Sequence, residues 1–144
     1  MTIKIRVVRT LKDVRTRLRD IAAAQHSNAA AQRDRSARDL AQEHATLETE
    51  LDRAASTLAE ARTVHDLDRV AEATGVHRLL IEDATQRHQV AVAASQTTAD
   101  HLRERTRQLR TAERLVELAD TRRAKRESRA EQRRTDDMAA RRHR

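Results

Sequence analysis

Apolar side chains recur along this chain with the period of a helix almost from end to end. Val7, Leu11, Val14, Leu18 and Ile21 follow one another at 4-3-4-3 spacing, and Ile3, Ile5 and Val8 widen the stripe. That spacing places one apolar face on a helix. Between residues 22 and 39 the pattern thins to alanines at 22–24 and 29–31 and slips by one position, a stutter in the heptads. It sharpens again at Leu40, His44, Leu47, Leu51, Ala54, Leu58 and Ala61. A second run carries Ile81, Ala84, His88, Ala91, Ser95, Thr98, Leu102, Arg105, Leu109, Ala112, Val116 and Ala119.

Between the two runs stands Gly75, the only glycine, in a chain of 144 residues without proline. Glycine tolerates the left-handed conformation that ends a helix, so Gly75 is the natural point of reversal. The seam positions agree with that choice. Position 40 mirrors 109, 51 mirrors 98 and 61 mirrors 88, each pair totalling 149, so the centre falls beside the glycine. Mirror symmetry of this kind is what an intramolecular antiparallel coiled coil requires. The expectation is an all-α chain, one long two-helix antiparallel coiled-coil hairpin turning near Gly75. Helix one covers about 3–73, the turn about 74–76 and helix two about 77–140. Such arms, at 1.5 Å per residue, would make a rod on the order of 100 Å long. A turn near His65, Asp66, Leu67 and Asp68 is the alternative, and it fits the mirror less well.

Composition narrows the picture further. Phe, Tyr, Trp and Cys are absent and 37% of residues are charged, so a thick core is hard to fill while a thin aliphatic seam is not. High charge and low hydropathy alone would allow disorder, but the sustained period argues for helix. Without cysteine there is no disulfide, thiol nucleophile or thiolate metal site, which suits a cytoplasmic protein. No apolar run is long enough for a bilayer, and charge interrupts the first nine residues, unlike a secretory signal.

Charge falls in blocks. Residues 1–38 are net +7, residues 39–100 net −7 and residues 101–144 net +7. A hairpin folded at Gly75 brings both basic blocks to the terminal end and leaves the acidic block at the tip. In that register Val7, Leu11, Val14, Leu18 and Ile21 face Arg142, Met138, Thr135, Glu131 and Ser128, and only Met138 is apolar. Five aliphatic side chains are then only partly covered, each with about 1.5–3 kcal/mol to gain on full burial. The terminal end reads as a docking surface.

Chemistry has little to work with. The seven histidines include no pair at i,i+3 or i,i+4 for a shared metal ion, and there is no phosphate loop or nucleophile elbow. The expectation is a protein that is not an enzyme and carries no cofactor or metal. His44 and His88 read as polar seam residues that set register. The run of Arg122, Arg123, Lys125, Arg126 and Arg129 is basic enough for nucleic acid, yet Glu127, Glu131, Asp136 and Asp137 are interleaved and no aromatic is present to stack on a base. A solvated helix face is therefore the expectation, and nucleic acid is not the expected partner. An N-terminal stripe lying on a membrane surface ranks lower, because the same face continues into the coiled coil.

The layout resembles a family, the central-stalk proteins of flagellar and virulence type III export ATPases (the FliJ/YscO family). Ile5-Arg6-Val7-Val8-Arg9-Thr10-Leu11-Lys12-Asp13-Val14 resembles the family's opening helix. The stretch from Glu113 to Asp120, continued from Gln132 to Ala139, resembles its close. The resemblance implies a small cytoplasmic coiled-coil hairpin, peripheral to a membrane-embedded export apparatus, whose terminal end enters the export ATPase hexamer. By that analogy Val7, Leu11, Val14, Leu18, Ile21, Arg122, Arg123 and Arg126 dock in the ATPase ring. Ile81, Ala84 and His88 fall at the spacing of the family's contact with the export gate, although this chain lacks the aromatics usual there. Chaperones are further partners the resemblance allows. Two other classes stay open: a basic nucleic-acid- or ribosome-associated coiled coil, and a generic coiled-coil scaffold.

Overall fold

The computed structural model describes residues 5–60 and 63–142, with side chains to residue 139. Two long helices account for all the described residues but Thr63, α1 (Ile5–Glu60) and α2 (Val64–Arg142), and no strand is present among them. The expected class, a two-helix all-α hairpin, is what forms.

The reversal lies elsewhere than at the glycine. Gly75 sits well inside α2, its φ is not positive, and a Cβ added there would meet nothing within 4 Å. A lone glycine within a helix costs only about 1 kcal/mol, which a helix of 79 residues absorbs. The break instead falls between Glu60 and Val64, and side-chain chemistry fixes where α2 begins. The Thr63 hydroxyl oxygen accepts from the Asp66 N–H (3.3 Å), while the Asp66 carboxylate accepts from the Thr63 N–H (3.2 Å) and the Thr63 hydroxyl (2.7 Å). This is a capping box with Asp at the third helical position. It supplies partners for amides that a helix start otherwise leaves unpaired, and its carboxylate lies at the positive end of the helix dipole. Helix one therefore ends at Glu60 rather than near residue 73, and helix two starts at Val64 rather than near residue 77.

The chain divides into two units. The turn unit is residues 24–100, and the terminal unit joins residues 1–23 to residues 101–144. In the turn unit His26 Nδ1 meets Thr98 Oγ1 at 3.3 Å and Ser36 Oγ meets His88 Nδ1 at 3.1 Å. Each pair totals 124, so α1 and α2 run antiparallel there about a centre at residue 62. The seam between them is narrow: Ala84, Ala91 and Ser95 are its buried positions. In the terminal unit the Arg15 guanidinium donates to the Gln108 side-chain oxygen, and Arg9 pairs with Asp120 at 3.0 Å. Val8, Ala22 and Ala112 are buried in that unit.

The expected seam positions of α2 are nevertheless right. From Ile81 to Ala119 all twelve are buried or half-buried. What changes is their partner. The register shifts by 25 residues, close to seven helical turns, and rotates each side chain by only about 20°. On α2 the slide keeps the face and changes every contact. On α1 the face changes too, because His44, Leu51 and Leu58, expected at the seam, are exposed, and His44 therefore sets no register.

Candidate partner-docking surface

The shift in register redefines the terminal unit. On α1, the residues turned toward α2 are Val8, Lys12, Arg15, Arg19 and Ala22, all buried or half-buried. The aliphatic stripe precedes each of these by one position, a rotation of about 100°. It therefore lies on a flank of the seam. Val7 is 61% exposed, Leu11 37%, Val14 48% and Ile21 55%, while Leu18 is half-buried.

The same offset occurs on α2. Leu115 precedes the half-buried Val116, Leu118 precedes the half-buried Ala119, and both leucines are exposed. In an antiparallel pair, positions just before the seam on either helix lie on the same side of it. Leu115 and Leu118 thus extend the flank begun by Val7, Leu11, Val14, Leu18 and Ile21. The sequence reading missed these two leucines as site residues, although their offset from the seam matches that of the N-terminal stripe.

The expected neighbours of the stripe are not beside it. Ser128, Glu131, Thr135 and Met138 are exposed, and Arg142 lies beyond the described side chains. Among the described residues, Arg9–Asp120 is instead the cross-helix polar contact nearest the helix ends. Past it, from residue 121 to 139, no side chain of α2 is even half-buried. Arg122, Arg123 and Arg126 belong to this uncovered stretch, so they are not packed beside the aliphatic stripe. Arg123 Nε donates to Glu127 (2.7 Å), and that hydrogen bond, with the adjacent negative charge, raises the Arg123 pKa above its ordinary value.

Ile81, Ala84 and His88 are placed in the turn unit's seam. Ala84 is only 2% exposed, Ile81 and His88 are half-buried, and His88 is held by Ser36. Small residues at 84, 91 and 95 let the helices approach, and the three positions serve that packing. Among the described residues no cluster of His, Asp and Glu could hold a metal ion, and no helix is long and apolar enough to cross a membrane.

Charge separates the two units. In the terminal unit Lys and Arg outnumber Asp and Glu by 22 to 10, a net +12; in the turn unit they are outnumbered 8 to 13, a net −5. The terminal unit thus combines an uncovered aliphatic flank with a strong positive field, a combination that favours an acidic-rimmed apolar partner. No family model, curated protein or solved structure matches the chain.

Proposed function

We propose that this chain is a non-catalytic coupling factor of a type III protein export ATPase, flagellar or virulence-associated, and that its terminal unit is the docking end. The observation that carries the reading is the flank of Val7, Leu11, Val14, Leu18, Ile21, Leu115 and Leu118, left open in a unit of net charge +12. The layout resemblance to the export-stalk family supplies the partner. In this reading the aliphatic flank provides most of the affinity, and the surrounding basic residues provide orientation and encounter rate. The protein would act in the cytoplasm beside the export apparatus. No role is assigned to Ile81, Ala84 and His88 beyond packing the seam.

The test is binding to a purified hexameric export ATPase. Leu11→Ala combined with Val14→Ala removes two aliphatic side chains from the flank without touching the seam. Affinity should fall by about 2–4 kcal/mol, with the helical signal of the free protein unchanged. A parent protein that does not bind, or a double variant that binds as the parent does, contradicts the proposal.

A further inference from the structure

The stretch of α2 from 121 to 139 calls for a different partner, and we infer that it is an arm that binds the phosphate backbone of duplex nucleic acid without reading its sequence. Arg122, Arg126, Arg129 and Arg133 follow one another at 4-3-4 spacing and so share one narrow face of the helix, within about 60° of arc. All four are exposed, and none makes a side-chain hydrogen bond or ion pair among the described residues. They rise along the helix axis in steps of about 4.5–6 Å.

In the linear sequence acids interrupt this run; on the helix none lies on its face between Arg122 and Arg133. Glu127 lies about 100° from Arg126 and is held by Arg123, and Glu131 lies more than about 120° away from the line. The line ends within one turn of Arg133, where Asp136 and Asp137 flank its face.

The ligand class follows from what accompanies the arginines. Apolar side chains on this stretch are only Ala124, Ala130, Met138 and Ala139, which form no stripe at helical spacing. A protein helix laid here would bury little apolar surface. Guanidinium groups suit phosphate oxygens, which they bind with paired N–H donors. With no aromatic residue in the chain, base stacking contributes nothing, and the contact stays with the backbone. The inference does not depend on the export reading, because it uses a different surface from the aliphatic flank.

The test uses the full-length chain and a mixed-sequence 30-base-pair DNA duplex, titrated across salt concentration. Four phosphate contacts predict a slope of log affinity against log salt of about −3 to −4. Arg122→Gln with Arg126→Gln should flatten that slope by about two. Lys125→Gln with Arg134→Gln, which lie off the line, should flatten it by less than half as much. These residues are exposed, so folding is not at stake. Leu11→Ala with Val14→Ala should leave DNA binding unchanged. Absent binding at low salt, equal losses from the two charge pairs, or equally tight binding to poly-L-glutamate would each overturn the inference. The last outcome would reassign the arm to acidic protein.

Discussion

The turn unit and the terminal unit are built from the same two helices and reach different ends. In the turn unit α1 and α2 close on Ala84, Ala91 and Ser95, with imidazole–hydroxyl pairs across the seam and a capping box at the reversal. In the terminal unit Val8, Ala22 and Ala112 are buried and Leu102 and Leu109 half-buried, but Val7, Leu11, Val14, Ile21, Leu115 and Leu118 lie exposed on a flank and the last stretch of α2 stands uncovered. The lesson concerns where apolar side chains are spent. Small residues hold most of the tightest seam positions, while the aliphatics set one position off the seam remain exposed.

Overpacking is the harshest way to probe this difference. Ala84→Leu and Ala112→Leu each force three extra carbons into a position only 2% exposed, and each should destabilise by about 1–3 kcal/mol in denaturant titration. Ala124→Leu, on the uncovered stretch of the same helix, should cost less than about 0.5 kcal/mol. Equal losses at all three positions would erase the distinction between seam and arm.

The capping box is the next lever. Thr63→Ala removes the hydroxyl that pairs with Asp66 and should cost about 1 kcal/mol of stability, read by the same titration. Gly75→Ala should act with the opposite sign, stabilising by about 0.5–1 kcal/mol, because the site is helical and open. A glycine at the reversal in a left-handed conformation would instead make that substitution destabilising. The sign alone decides.

The smallest effect belongs to the Arg9–Asp120 bridge, where both partners are exposed. Asp120→Asn should cost less than about 1 kcal/mol, and the loss should shrink as salt is added. A larger, salt-insensitive loss would mean that the terminal unit depends on this bridge more than its exposure suggests.

The seam face of α2 was legible in the sequence. The twelve seam positions from Ile81 to Ala119 follow from spacing alone, whereas on α1 the expected seam of Val7, Leu11, Val14, Leu18 and Ile21 is a flank one position off the true one, and His44, Leu51 and Leu58 are exposed. Register was not legible, because a periodic pattern matches itself after any whole number of turns, and 25 residues is nearly seven. Only the reversal could break that degeneracy. The lone glycine was the louder signal, but Thr63 and Asp66 held the stronger one, a side chain for each end of the box three residues apart. The arginine line was hidden for a related reason. Read linearly, Glu127, Glu131, Asp136 and Asp137 dilute it; wrapped on a helix, the two glutamates fall on other faces and the two aspartates close its end.

Register is therefore the claim on which the rest stands, and two spin labels measure it directly. The chain has no cysteine, so Ser36→Cys with His88→Cys gives a doubly labelled protein with no background site. These two side chains meet at 3.1 Å across the turn unit. Pulsed electron paramagnetic resonance on the dilute monomer should therefore return a single short distance. In a hairpin reversed at Gly75, residue 88 would face residue 61, and the two labels would be offset by about 37 Å along the helix axis. A distance distribution centred near that value would contradict the account.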